Sequence, residues 1–241
     1  MSVGLVIQNF SDLEIYSSVY EYIDSNMYIL LNDEEALVVD PHKNKDLQEL
    51  FDQNSIKKVT IILTHEHADH ISGLWWFQER YECTIICSQK CAGQVAYKKS
   101  TRPLLLAFKI EEEDRKNGNN NLEQFHKDFV WTTYKADITY EKFMHYSWQN
   151  HELDFYAITG HSEGSSLIVM DNKYAFTGDS LLKKYPVIVS FPKGSKKAYV
   201  DQTLPLFEKV LNPDMVVFPG HGEPFVLNDI MIDGKIKVEI R

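Results

Sequence analysis

Cysteine is scarce, with three residues in 241, and so small and odd a number cannot build a disulfide framework. Cys83, Cys87 and Cys91 recur every four residues, a spacing open to a metal or redox cluster. Cys83 and Cys87 nevertheless bracket the apolar Thr84-Ile85-Ile86 run and read as small hydrophobes of a buried strand. Basic residues are also in deficit: 25 Lys and Arg against 35 Asp and Glu leave a formal charge of -10, and the densest basic clusters are Lys183-Lys184 and Lys193 to Lys197. Such a chain repels phosphate polymers, so no nucleic-acid partner is expected. No apolar run approaches the roughly 20 residues of a membrane span, and Met1 to Phe10 lacks the basic flank, apolar stretch and small-residue cleavage site of a secretory signal. The chain reads as reduced, cytoplasmic and without a membrane partner. Internal repeats and low-complexity linkers are missing as well, and one domain over residues 1–241 is expected.

What is present is an alternation of short apolar strands and helical patterns. Leu5 to Ile7, Met27 to Leu31 and Ala36 to Val39 read as strands, with Asn32-Asp33 as a hairpin turn, so the chain opens as a meander. Leu47, Leu50 and Phe51 then recur at helical spacing, and Val59 to Leu63 is a wholly apolar strand, as expected for one covered on both faces. The rhythm continues with Ile71 to Tyr81 as helix, Cys83 to Cys87 as strand and Gln89 to Lys98 as helix. It returns later with strands at Phe155 to Ile158, Ser166 to Met170, Tyr174 to Phe176 and Met215 to Phe218, and a helix around Val200 to Leu211. Sheets covered by helices follow from this order.

Residues 99–150 break the rhythm. Glu111 to Lys116, the polar Asn117 to Asn121 and an aromatic-rich stretch containing Phe125, Phe129, Trp131, Tyr134, Tyr140, Phe143, Tyr146 and Trp148 read as two amphipathic helical pieces joined by a Gly-Asn loop. Such an insertion is a surface excursion with its own small core, a lid or wall of a substrate pocket, or a homodimer contact.

The densest chemistry follows the Val59 to Leu63 strand, where Thr64-His65-Glu66-His67-Ala68-Asp69-His70 packs potential metal ligands into one strand-to-helix turn. His65 and His67 alternate off an extended segment and can point the same way, while Asp69 and His70 fall on the first helical turn, so one strand end can serve two metals. Three further ligand types end strands, in Gly160-His161-Ser162, Gly178-Asp179-Ser180 and Gly220-His221-Gly222, each preceded by Gly that lets the backbone come close. Imidazole and carboxylate donors suit zinc, iron or manganese, and the weighting to histidine favours two zinc ions.

This order, H-x-H-x-D-H followed by G-H, G-D and P-G-H, resembles the metallo-β-lactamase-like superfamily over nearly the whole chain. The resemblance implies an α+β, four-layer αββα sandwich: two mixed β-sheets face to face with helices outside. It implies that His65, His67 and His161 hold one metal, that Asp69, His70 and His221 hold a second, and that Asp179 bridges them. It further implies a hydrolase in which a metal-bound hydroxide attacks a carbonyl, with Asp69 as the catalytic proton carrier.

Asp179 as an acidic bridge points away from true β-lactamases, and His67 away from flavodiiron proteins, which carry Glu at that position. Tyr174 to Leu182 looks most like glyoxalase II and the persulfide dioxygenases. The chain departs from both at Lys183 to Val189, where their substrate loop is missing, and the short stretch after His221 leaves little for the helical domain that completes a glutathione site. The resemblance therefore favours a small single-domain glyoxalase II-like thioesterase, acting on a thioester, ester or lactone of a small-molecule or carrier-bound acyl group. An iron-dependent persulfide dioxygenase-like oxidoreductase is the alternative.

Supporting roles stay open. Asp40 is placed to orient a ligand histidine or to form a turn before Pro41. His42 reads as a solvated loop histidine, and His126, His145 and His151 as non-ligands. Lys183, Lys184 and Tyr185 either reach an anionic part of the substrate or are solvated surface, and Ser162, Glu163 and Ser165 read as turn and capping residues.

Overall fold

The computed structural model describes residues 4–10, 12–130 and 132–241; Trp131 of the aromatic stretch lies outside the described residues. A first sheet follows the chain as β1 (Val6–Asn9), β2 (Glu14–Val19), β3 (Asn26–Asn32), β4 (Glu35–Val39), β5 (Lys58–Ile62), β6 (Glu82–Ser88) and β7 (Ile138–Tyr140), in that spatial order. Its first four strands are antiparallel and its last four parallel, so the sheet is mixed. The second sheet contains β8 (Phe143–Trp148), β9 (His151–Ala157), β10 (Ser166–Met170), β11 (Tyr174–Gly178), β12 (Val216–Pro219) and β13 (Phe225–Val226), with β11 and β12 its parallel pair. A hairpin of β14 (Met231–Ile232) and β15 (Lys235–Ile236) stands apart.

The wholly apolar strands are explained by the layers around them, because successive side chains of a strand point to opposite faces. In β3 to β6, Tyr28, Leu30, Leu37, Val39, Ile62 and Ile86 face inward and meet Phe155, Ile168, Met170, Phe176 and Phe218 of the second sheet. Their neighbours Met27, Ile29, Val38, Ile61 and Ile85 face outward, onto Leu47 and Phe51 of helix α1 (Lys45–Gln53). Beyond the second sheet, Leu167, Val169, Ala175 and Val217 meet Phe207 of the helix Leu204–Val210. The result is the αββα sandwich. Full burial of each large side chain contributes roughly 1.5–3 kcal/mol.

Several elements differ from the sequence-based expectations. The β3–β4 turn falls on Asp33-Glu34, one residue later than expected, with Asp33 at φ 50°. Strand β2 escaped notice because Ser17 and Ser18 interrupt its apolar pattern, although Ile15 is fully buried. The helix expected over Ile71 to Tyr81 is split into α2 (Ala68–Ile71) and α3 (Leu74–Gln78). At the break, Gly73 N donates to Pro41 O at 2.8 Å, and a Cβ on Gly73 would stand 2.6 Å from the His42 carbonyl carbon. Helix α4 (Gln89–Val95) follows β6, its N-cap Ser88 accepting from Cys91 N.

The helical reading of residues 99–150 holds only for its first half, with α5 (Pro103–Asn117) and α6 (Asn121–Asp128). The second half is strand: Phe143, His145 and Ser147 are exposed and alternate with Met144, Tyr146 and Trp148, a period of two that the density of aromatics obscured. Leu106, Ile110 and Phe125 of the helical half pack on Tyr20, Tyr22 and Ala68, joining the insertion to the loop after β5. After the short α7 (Lys196–Ala198), Tyr199–Thr203 widens to a π-turn before α8 (Leu204–Val210), where Pro205 lacks an N–H to donate. Among the described residues no helix is long and apolar enough to cross a membrane.

Two glycines make a test of these packing assignments. Gly73→Ala should destabilise by about 1–3 kcal/mol in a denaturant titration because backbone blocks the added methyl. Gly93→Ala in α4, where an added Cβ meets nothing within 4 Å, should leave stability unchanged or raise it by up to about 1 kcal/mol.

Candidate metal centre

The parallel strands β4, β5, β11 and β12 end at the same rim of the sandwich, where ligands gather in layered folds. The rim is pinned by Asp40, just after β4 and at φ 54°. Its buried carboxylate accepts from Thr64 N at 2.7 Å and from Thr64 Oγ1 at 2.6 Å, and its Oδ2 lies 2.8 Å from His70 Nδ1. The sheets are tied there by Ser166 N donating to Thr64 O at 2.8 Å, while within the second sheet Gly220 N donates to Gly178 O at 2.8 Å. Gly220 admits this approach because a Cβ would stand 2.2 Å from Asp179 Oδ1.

All seven sequence-nominated ligands converge on this rim. Each of His65, His67, His161 and Asp179 offers one donor atom within 4.8 Å of the others, and Asp69, His70 and His221 form a second such group. In the first, His67 Nδ1 is 3.1 Å from His65 Nε2 and 3.0 Å from His161 Nε2. A tetrahedral zinc ion with Zn–N bonds of about 2.0–2.1 Å separates its nitrogens by about 3.3 Å, so this spacing fits one ion. In the second, Asp69 Oδ2 lies 3.3 Å from His70 Nε2 and 3.5 Å from His221 Nε2. Asp179 stands between the groups: Oδ2 is 3.5 Å from both His161 Nε2 and His221 Nε2, and Oδ1 is 3.4 Å from His70 Nε2. Buried His70 Nε2 and Asp179 Oδ1 have no hydrogen-bond partner among the described residues.

The imidazoles are oriented from behind. Thr64 Oγ1, whose own proton goes to Asp40, accepts from His65 Nδ1, while Ile188 O accepts from His161 Nδ1 and Asp24 O from His221 Nδ1. Asp40 does the same for His70, so in the neutral ring the inner Nε2 of all four carries the lone pair that a cation would take. Asp40 also falls within a third donor group with His65 and His70, but both its oxygens are already engaged, which makes it a support.

Electrostatics point the same way. Burial, then neighbouring imidazoles, hold His65 and His67 well below the usual histidine range, and burial also lowers His161. Burial opposes ionisation of Asp69 and Asp179, yet His70 and His221 outweigh it and keep both carboxyls well below their usual range. Conversely, those carboxylates overcome burial to push His70 well up and His221 to about 10. The second group thus draws a proton where a cation can stand, and the donor set as a whole fits divalent metal ions.

Above the ligands lies a cavity of about 530 Å³, its floor formed by His67, Asp69, His161, Asp179 and His221. One wall is α5 with the preceding Arg102, so the insertion contributes through its first helix, while Phe125 goes to the small core beneath. Tyr185 also lines the cavity, whereas Lys183 is paired with Asp229 at 2.8 Å. His126 is exposed, His145 is paired with Asp154 and His151 with Asp171, all outside the two ligand groups.

Sequence reasoning missed three residues. His42 is buried, bonded through Nε2 to Ser18 Oγ at 2.9 Å and stacked on Tyr20, and burial lowers its pKa to about 3; the expectation of a solvated histidine fails. Glu66 is buried and accepts from Ser162 Oγ at 2.9 Å, locking the β5 loop to the His161 loop; Ser162 and Ser165 serve that link besides their turn. Arg102 places Nη1 2.8 Å from His67 Nε2. Charge at one residue leaves no periodic signal, and its only local cue was Pro103 opening a helix.

Two outcomes are expected. Asp40→Ala should weaken metal affinity about 10–100-fold in a competitive chelator titration. In chelator-treated protein, the stability His221 contributes is fully present below its ordinary pKa of 6.5 and is lost as pH rises to about 10. The melting-temperature gap between wild type and His221→Ala should therefore narrow across that window; a constant gap would refute the ion-pair assignment.

Residues 22–221 match the metallo-beta-lactamase superfamily. The hydroxyacylglutathione hydrolase of Francisella philomiragia subsp. philomiragia is 36% identical over 59 residues, 24% of this chain and 23% of that one. The chain thus spans about a quarter of the length of this curated relative. Among solved structures, the BLEG-1 B3 metallo-beta-lactamase is similar at a TM-score of 0.69 and 19% identity, covering 89% of this chain and 95% of that one. ETHE1 from Myxococcus xanthus is similar at 0.61 and 16%, covering 90% and 76%. These likenesses concern the fold, and with the match running from Tyr22 to the last sequence-nominated ligand, the chain belongs to the metallo-beta-lactamase superfamily.

Proposed function

We propose that this chain is a dinuclear metal-dependent hydrolase of a thioester, ester or lactone in a small-molecule or carrier-bound acyl substrate. The observation that carries the reading is Asp179, half-buried between two donor groups with oxygens 3.4–3.5 Å from histidines of both. His65, His67 and His161 would hold one ion, Asp69, His70 and His221 the other, and Asp179 would be shared. Five imidazoles and two carboxylates favour zinc over iron or manganese. Two divalent ions so held supply Lewis acidity and lower the pKa of water from about 15.7 to about 7, making hydroxide available near neutrality.

The remaining work falls to side chains. Asp69 is ionised, opens onto the cavity and belongs to the second group, so its carboxylate takes the proton of the attacking water and returns it to the leaving group. Leu105, Leu106, Ile188 and Phe191 give the cavity an apolar wall that limits water and receives an acyl chain. The similarity to a hydroxyacylglutathione hydrolase supports a thioester, although it spans only a quarter of that relative. A single-iron oxidoreductase of the persulfide dioxygenase type, suggested by the fold shared with ETHE1, leaves the Asp69, His70 and His221 group without a purpose.

Steady-state assays with a panel of acyl thioesters and lactones should show turnover that a chelator abolishes and zinc restores. Asp69→Asn should lower kcat by about 100-fold or more. Oxygen uptake with glutathione persulfide, and no hydrolysis of any panel member, would replace this reading with the oxidoreductase.

A further inference from the structure

Among the described residues Arg102 is the cation of the cavity wall that has no carboxylate partner. It immediately precedes α5 at φ 58°, a left-handed backbone conformation that is unfavourable for arginine. Three contacts fix the guanidinium: Nη1 donates to His67 Nε2 at 2.8 Å, Nη2 donates to Pro192 O, and the group lies over the Phe191 ring at 5.5 Å from its centroid. Among the described residues no acidic oxygen lies within ion-pair distance of it. The acidic group whose charge it feels is Glu66, already occupied by Ser162. Other cations nearby are engaged: Lys109 of the same wall pairs with Glu112, and Lys193 with Glu163.

We propose that Arg102 anchors a carboxylate of the substrate, so that the acyl groups preferred here carry an anionic group within a few bonds of the carbonyl that is attacked. The reaction named in this proposal rests on the hydrolase reading above; the anion-binding part does not. Position sets the length limit, because one imidazole ring, that of His67, separates the guanidinium from the converging donor atoms. The same ring couples anchor and metal. Arginine only donates, so His67 Nε2 accepts from Arg102 and its ring proton is on Nδ1. A cation held through Nδ1 would require that proton on Nε2, which then could not accept, so Nη1 would be free for a carboxylate of the ligand.

The cavity also has acidic walls, from Glu21, Asp24 and Glu113, so selectivity for an anion is local to Arg102. Glu113 is roughly 16 Å from it along the helix axis and is paired with Lys116. A short dicarboxylic acyl group can therefore reach the arginine without meeting Glu113.

The test uses the zinc-loaded protein with the succinyl and butyryl thioesters of N-acetylcysteamine, which share a leaving group and differ in a terminal carboxylate. Wild type should prefer the succinyl thioester by about 10-fold or more in kcat/KM. Arg102→Ala should bring the ratio toward one, mainly through KM, and Arg102→Lys should give an intermediate ratio because it keeps the charge but not the planar fork. Calorimetric titration with succinate alone, with zinc content measured in parallel, should show binding weakened about 10-fold or more in Arg102→Ala and by less in Arg102→Lys. A wild-type ratio near one, or a ratio and succinate affinity unchanged in Arg102→Ala, would overturn the anchor while leaving the hydrolase reading intact. Succinate binding that depends on Arg102, with neither thioester hydrolysed, would retain the anchor and count against the hydrolase.

Discussion

The Asp40 carboxylate is the constraint on which the rest of the site depends. It is buried, and burial raises its pKa, so it stays in place only because Thr64 and His70 satisfy it. Those bonds join the ends of two parallel strands, set the first residue of the ligand loop and aim one imidazole. Through Thr64 Oγ1 they also orient His65, and through Thr64 O they tie the first sheet to β10 of the second. One side chain thereby turns a junction between sheets into a fixed cradle, and the outward nitrogens of four histidines follow the same logic.

The two sheets explain why ligands so far apart in sequence meet. Each contributes donors from the loops that follow its strands: the β5 loop from one, and the loops after β9, β11 and β12 from the other. The inward cores on Phe155, Phe176 and Phe218 hold the sheets face to face, so these loops share one rim. Rigidity of that kind suits a site whose buried donors would otherwise lack partners. Arg102 belongs to a different layer, at the head of α5, whose Leu106 and Ile110 pack with Phe125 of α6 on Tyr20, Tyr22 and Ala68.

Much of this is legible in the sequence alone. Strands covered on both faces announce themselves as continuous apolar runs, and the ligand loop concentrates its donors in a few residues with glycine ahead of the later ones. What stayed hidden depends on partners distant in sequence. Ser17 and Ser18 look like loop residues until Ser18 is seen holding His42, and His42 looks solvated until Tyr20 covers it. Tyr140 to Trp148 suggested an aromatic helix, yet those side chains are spaced for a sheet that faces the core on one side. Gly73 breaks a helix because the backbone of His42 lies against it, a contact that no local pattern encodes.

If His65, His67, Asp69, His70, His161, Asp179 and His221 form one site for two metal ions, the protein carries both and loses metal when a donor is removed. Elemental analysis of protein purified without added metal, repeated for His65→Ala and Asp179→Ala, tests it most directly. About two zinc ions per wild-type chain are expected, at least one of them lost in each variant. One iron per wild-type chain, or a metal content that neither substitution alters, would contradict a two-metal site.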